Sequence, residues 1–404
     1  MKKLILPLLG CIPFLLHAGG FQVNLQGNKQ TGMGHLGTSF YLGASSAYFN
    51  PAMMGMGENK INIEAGASFI NSNVVFQNQT TGVSEQTDNP MGTPFYLYGT
   101  YTINEKVTAG LGVYTPFGSA VDWGEEWTGK FLIRDIQLRA IFIQPTVAYR
   151  VNDQLSVGAG LTYVLGSVEI NRAVSAPIGN NNSVNLKGNA NGIGFNAGVH
   201  YQVNDQWSVG LTHRSRVDID LKEGDVDFTM DPALASSFPD GKFSASLPLP
   251  STTTLGIAYQ ATDKLLLSVE GSFVGWSAYE SLDFDFKTNT DRLEDSKNPR
   301  NYEDAIIIRV GGQYSVNEEL DVRAGFYYDE SPIQDEFFNP ETPSTNNLGF
   351  TTGLSYSVGE SFGVDASFLF ISGQERESEY QPAGFGGKYK AISIIPGIGL
   401  TYKL

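Results

Sequence analysis

Val151-Asn152-Asp153-Gln154-Leu155-Ser156-Val157-Gly158 returns almost unchanged as Val203-Asn204-Asp205-Gln206-Trp207-Ser208-Val209-Gly210. Looser copies follow the same plan: Ile103-Asn104-Glu105-Lys106-Val107, Ala261-Thr262-Asp263-Lys264-Leu265 and Val316-Asn317-Glu318-Glu319-Leu320, with Gly359-Glu360 as a sixth. Asn and Asp tolerate left-handed backbone and bond locally to it, so each copy reads as a tight hairpin turn. On either side the chain alternates apolar and polar residues with a period of two, the pattern of a strand with two different faces. Between the six turns lie seven longer polar stretches containing Pro and Gly, near residues 72–89, 118–135, 172–188, 222–247, 287–301, 329–345 and 374–387. Strict alternation of six short and seven long connections predicts an all-β antiparallel barrel of about 14 strands. An even strand number with short turns on one side and long loops on the other is the outer-membrane pattern. A soluble sandwich or propeller has no reason to keep one end of every hairpin short.

The composition agrees. A mean hydropathy of −0.15 and 41% hydrophobic residues suit a barrel whose strands alternate lipid-facing and lumen-facing side chains. The 46 glycines and 12% aromatic content favour it further. Residues 1–18 have the layout of a signal peptide. Lys2 and Lys3 precede the apolar stretch Leu4 to Leu16, which Pro7 and Pro13 interrupt, and Leu16-His17-Ala18 offers a cleavage site. Leu8-Leu9-Gly10-Cys11 also resembles a lipoprotein cleavage box, but it would leave a very short apolar segment. Cys11 is the only cysteine, so a processed chain has no disulfide and no thiolate ligand. The net charge of −16 argues against nucleic acid, whose phosphates it would repel.

Residues 19–59 do not read as strand. They are small, glycine-rich and nearly free of charge, as in Thr31-Gly32-Met33-Gly34-His35-Leu36-Gly37 and Gly43-Ala44-Ser45-Ser46-Ala47. A free periplasmic tail would be more charged. The lumen of about fourteen strands is wider than its own side chains can fill, so this segment is expected as a hatch inside a barrel formed by residues 60–404.

Gly20-Phe21-Gln22, Asn50-Pro51-Ala52, Asn196-Ala197-Gly198, Thr212-His213-Arg214-Ser215, Gly275-Trp276-Ser277, Asp304-Ala305 and Tyr328-Asp329-Glu330-Ser331-Pro332 occur in order along the chain. In this series the sequence resembles the FadL family, outer-membrane transporters of long-chain fatty acids and other hydrophobic compounds. The resemblance implies a monomer in outer-membrane lipid that needs no cofactor. Its hydrophobic ligand binds inside the barrel and leaves sideways beside a kinked third strand. An alkyl chain gains about 0.8 kcal/mol per buried CH₂ in an apolar pocket, so such a route suits a fatty acid better than a wet pore.

The resemblance also implies site residues. Phe21 matches an N-terminal gate, or reads as an apolar anchor for the hatch. Asn50, Pro51 and Ala52 match a tripeptide set against the third-strand kink, or an ordinary turn before the first strand. Gly118, in Tyr114-Thr115-Pro116-Phe117-Gly118, matches the kink glycine, or the end of strand three. Arg172 matches a basic residue near the ligand headgroup, or forms a loop-base salt bridge with Glu169 or another carboxylate. Arg300 is a second basic candidate. The loop from Asn171 to Asn189 is shorter than in the best-known members, whereas that from Asp225 to Phe243 keeps an apolar run in Phe228, Met230, Leu234 and Phe238.

Nothing in the sequence suggests an enzyme. His17, His35, His200 and His213 lack metal-ligand spacing, and an outer-membrane lipase built on His200 or His213 has no nucleophile elbow beside it. The remaining rival is a general diffusion porin for polar solutes. The two part in planar bilayers: a plugged barrel is expected to pass little current, and a large steady ion current would mark the porin.

Overall fold

The computed structural model describes residues 20–179 and 181–404. The leader expected at residues 1–18 lies outside them. Fourteen antiparallel strands form a closed ring: β1 (Ile61–Ser68), β2 (Phe95–Asn104), β3 (Val107–Asp122), β4 (Asp135–Arg150), β5 (Leu155–Ala173), β6 (Ser183–Gln202), β7 (Trp207–Arg214), β8 (Thr252–Thr262), β9 (Leu265–Val274), β10 (Ala305–Ser315), β11 (Leu320–Asp329), β12 (Asn347–Val358), β13 (Phe362–Gly373) and β14 (Phe385–Lys403). Each pairs with the next, and β1 closes on β14 from Asn62↔Lys403 to Ser68↔Gly397. Closure removes the sheet edges, which hydrocarbon does not tolerate.

The turns form for the expected reason. The Asn152 side-chain oxygen accepts from the Gln154 and Leu155 amides at 2.9 and 2.8 Å. Asn104, Asn204 and Asn317 repeat this, and the Thr262 hydroxyl does so less closely. Along β9 and β10, Leu267, Val269, Phe273, Ile306, Ile308 and Val310 are exposed, whereas Ser268, Glu270, Ser272, Ile307 and Arg309 are buried. The exposed set is the apolar outer belt of a membrane barrel.

Above the ring the loops are less irregular than their composition suggested. The stretch at 222–247 is no loop: Val217–Thr229 and Gly241–Leu249 form a hairpin, with Val217, Ile219 and Leu221 buried on one face. A register slip between Leu221 and Gly224 interrupts that period. The third loop shrinks to residues 174–182, because β5 and β6 stay paired out to Ala173↔Ser183. Asn185 bridges this ladder through its side-chain amide, donating to Asn171 Oδ1 at 2.8 Å and Glu169 Oε1 at 3.0 Å. The stretch at 118–135 is likewise shorter, since β3 runs to Asp122.

Residues 20–56 fold as short helical turns, Asn28–Gly32, Ser46–Phe49 and Pro51–Met56, and are almost wholly buried. They touch inward-facing positions on opposite sides of the ring. Asn28 Oδ1 accepts from Ser367 Oγ at 2.7 Å, Thr351 Oγ1 donates to the Gly32 carbonyl at 3.1 Å, and Ser156 Oγ donates to the Ala52 carbonyl at 2.7 Å. Two wall carboxylates hold the segment's backbone. Glu270 accepts from the Gly37 and Thr38 amides at 2.9 and 2.7 Å and from Thr38 Oγ1 at 2.9 Å. Glu64 accepts from the Ser45 amide at 2.8 Å and from Lys29 Nζ at 3.0 Å. Gly353 is needed for close approach, because a Cβ there would lie 2.8 Å from Gly32 Cα. Gly353→Val is therefore expected to expel the segment and leave the ring closed. Trypsin would then cut after Lys29, which is protected in the wild type, while unheated protein keeps the gel mobility of a folded barrel. Continued protection of Lys29 would refute this packing.

Candidate functional site

The ladder between β2 and β3 stops at Tyr96↔Tyr114, and the β3–β4 register slips between Tyr114 and Phe117. Pro116 has no amide to donate and Thr115 leaves the ladder, so the strand breaks locally. The freed groups find other partners. Thr115 Oγ1 exchanges contacts with the Phe95 backbone, the Thr115 carbonyl accepts from Gln26 Nε2 at 3.2 Å, and the Pro116 carbonyl accepts from the Val23 amide at 2.8 Å. The Gly118 amide donates to the Phe21 carbonyl at 3.3 Å, and Gln22 bridges to Phe117. Beside Thr115–Gly118 the wall is thus completed by residues 21–26 rather than by β2, and farther along Asp122 is bonded by Asp88 and Asn89. Gly118 itself is a paired residue within β3, opposite Arg139, and not the end of the strand.

Phe21 is buried within an aromatic cluster. Its ring meets Trp276 edge-on at 5.0 Å, Tyr279 at 6.0 Å and Phe117 at 6.1 Å. Gly20, at φ +60°, lets the chain turn where any Cβ would run into the Trp276 ring. Tyr302 extends the cluster, stacked edge-on to Tyr279 at 4.9 Å, and burial pushes its phenol up to about 12.

Asn50, Pro51 and Ala52 are not at the break. Asn50 caps the Pro51–Met56 turn by accepting from the Ala52 amide at 3.1 Å, and its Nδ2 donates to the carbonyls of Thr38 at 2.7 Å and Val199 at 3.1 Å. Gly158 and Gly198, where a Cβ would collide with the tripeptide, set it against β5 and β6. Those positions lie in register with Ala148 and Thr108, several residues nearer the short turns than Tyr114. The reason is reach: Gln26, Val23 and Phe21 already satisfy the broken strand.

Above the aromatic cluster, Arg300 is fully buried and pairs with Glu341 through Nη2, with Tyr380 Oη 3.3 Å from Nη1. Burial works against its charge, yet Glu341 and the phenols of Tyr279, Tyr380 and Tyr302 hold its pKa above the ordinary guanidinium value. Arg172 is half-buried and within electrostatic reach of both Glu341 and Arg300. It does not meet Glu169, an exposed residue whose carboxylate accepts from Asn185. Glu341 is bonded to Arg300, and the second guanidinium nearby adds positive charge beside phenol hydroxyls, an arrangement suited to an acidic headgroup. The structure brings Arg172 and Arg300 together, and Phe21 together with the break at Gly118. The tripeptide stands apart.

Trp276, Tyr279, Tyr302 and Glu341 complete these two clusters. Gly275-Trp276-Ser277 carried the only prior signal for any of them. His200 and His213 sit in no common site: His200 is buried at the inner face, and His213 bonds Thr253 at 2.8 Å beside the outward Phe195.

A family profile described as outer membrane protein transport protein (OMPP1/FadL/TodX) matches residues 11–403. The 47 kDa outer membrane protein of Pasteurella multocida is 26% identical, covering 88% of this chain and 86% of its own. A long-chain fatty acid transport protein of Escherichia coli is 24% identical, over 89% and 88%. Among solved structures, a Pseudomonas aeruginosa FadL homologue superposes with a TM-score of 0.84 at 19% identity, over 95% of this chain and 100% of that one. The Pseudomonas putida toluene transporter TodX does so with 0.76 at 15% identity, over 96% and 99%.

Removing the Phe21 ring should loosen the completed wall before it affects the ring. Phe→Ala at a buried site costs about 3–5 kcal/mol. In Phe21→Ala, amide exchange at Val23 and Gly118 is expected to accelerate by orders of magnitude, while the β9–β10 ladder is unaffected. Unchanged protection of both amides would mean that the ring does not hold this seam.

Proposed function

Since the chain belongs to the OMPP1/FadL/TodX family of outer-membrane transport proteins, whose members carry hydrophobic compounds and are not enzymes, we propose that it transports long-chain fatty acids passively, with lateral exit through the wall at β3. The residues 19–59 act as the hatch that keeps the lumen shut to ions, and the protein works as a monomer. The acid head meets Arg172, which lies near the Arg300–Glu341 pair, and the chain lies against the aromatic cluster. Phe21 is the gate. When it withdraws, residues 21–26 cease to complete the wall beside Pro116 and Phe117, and the chain passes into hydrocarbon without crossing periplasmic water. The observation that carries this reading is the break in the β2–β3 ladder, filled by the same residues that bear the Phe21 ring.

Aromatic hydrocarbons are the second substrate class. The edge-on rings of Phe21, Trp276 and Tyr279 suit a flat apolar guest, which makes no use of Arg172.

Uptake of labelled oleate and of toluene by cells with and without the gene tests the substrate. Oleate uptake should depend on the gene, and no difference for either compound would overturn the proposal. Gln22→Cys combined with Phe117→Cys tests the route, because these residues bridge across the break. Oxidation should block uptake and reductant should restore it. Transport undiminished by the crosslink would rule out exit at β3.

A further inference from the structure

Behind Phe21, between residues 22–49 and the wall, lies a polar chamber of about 40 Å³. A single water needs roughly 10–15 Å³ on this measure, so several small polar atoms fit. Arg309, Arg214, His35, Thr254, Ser272 and Glu270 line it. Its two guanidinium groups outnumber its one carboxylate, although Gln22 Oε1 is a neutral acceptor without a partner among the described residues. Glu270, the only carboxylate of the lining, already holds three donors from Gly37 and Thr38. Arg309 is buried, donates through Nη1 to Ser272 Oγ at 2.6 Å, and its Nε has no partner among the described residues. Arg214 lies 3.6 Å over the Tyr48 ring and donates to the Tyr48 carbonyl, and its Nε is equally unpartnered. Two guanidinium groups lining a chamber with one carboxylate at membrane depth are costly unless a further anion joins them.

The chamber is continuous with an apolar slot. Gln22, Tyr48, Arg214 and Thr252 line both, and the slot is otherwise bounded by Pro116, Phe117, Phe142, Phe195, Val217 and Leu249. The slot, only about 10 Å³, runs from the arginines to the break in β3 and must widen to admit an alkyl chain. We infer that the chamber is a second carboxylate site, deeper than the Arg172–Arg300 cluster. Arg309 and Arg214 hold the head of an amphiphilic acid while its chain lies along Phe117 and Phe142 toward the wall. The identity of the acid rests on the transport reading, but the site does not.

The probes are labelled octanoate and octanol, equal in chain length and different in charge, bound to the purified protein in amphipol. Arg309→Gln should weaken octanoate binding by about ten-fold or more, as expected for a lost charge-assisted hydrogen bond. Octanol binding should not change, and Arg309→Lys should restore much of the loss. Heat-dependent gel mobility verifies that each barrel is folded. In Arg172→Gln, which removes the outer site, the dependence on Arg309 should persist. Octanoate binding indifferent to both Arg309 variants overturns the inference, as does competition by formate as effective as by octanoate. Uptake is scored separately. Failed uptake with Arg309-dependent octanoate binding counts against transport alone, whereas uptake with indifferent binding counts against this site alone.

Discussion

At bilayer depth a backbone amide or carbonyl has no water to fall back on, and each must find a partner within the protein. The ring meets this demand by closing β1 on β14. The chain inside it cannot, since short helical turns leave many groups unpaired. Glu270 and Glu64 take up that remainder by accepting from amides at Gly37, Thr38 and Ser45. At the break in β3 the roles reverse: the wall lacks partners, and Phe21, Val23 and Gln26 supply them. The two bodies complete each other's hydrogen bonding, and neither is satisfied alone.

This mutual dependence places the functional features in a sequence of layers. A basic cluster at Arg172 and Arg300 lies outermost, an aromatic layer around Phe21 and Trp276 follows, and the Arg309–Arg214 chamber lies beneath. Apolar layers set between charged ones favour a molecule that has both kinds of surface. On the transport reading proposed above, polar solutes would be opposed by the aromatic layer, and ions also by the packed segment below. The two gaps that matter, one in the wall and one in charge balance, are adjacent at Gln22 and Tyr48.

The ring was legible because its signals are local. An Asn that accepts from two amides does so wherever it stands, and period-two alternation needs no knowledge of neighbours. The segment 222–247 failed that test, since a register slip between Leu221 and Gly224 interrupts the alternation that Val217, Ile219 and Leu221 begin. Glu64 and Glu270 carried no signal at all, because an inward acidic residue on a strand looks like ordinary lumen lining until the amides it holds are brought from more than two hundred residues away, as at Glu270. Glu341, on the loop between β11 and β12, carried none either, since its partner Arg300 comes from a different loop. Asn50-Pro51-Ala52 was recognisable as a motif, but its position was not: where a tripeptide rests depends on which wall positions lack a side chain, and Gly158 and Gly198 are distant in sequence.

The docking of the N-terminal segment has a consequence for the order of assembly. It is made before every strand of the ring, yet its contacts reach Gly353, Ser367 and Gly397 at the far end of the ring. Loops this long close late, after local hairpins have formed. The segment must therefore stay unpaired through most of folding, and it must be inside when β1 meets β14, because Ile61 follows it directly. Its scarcity of charge and of strand-forming runs suits that wait. A more adhesive sequence would pair with the growing sheet edge and be built into the wall.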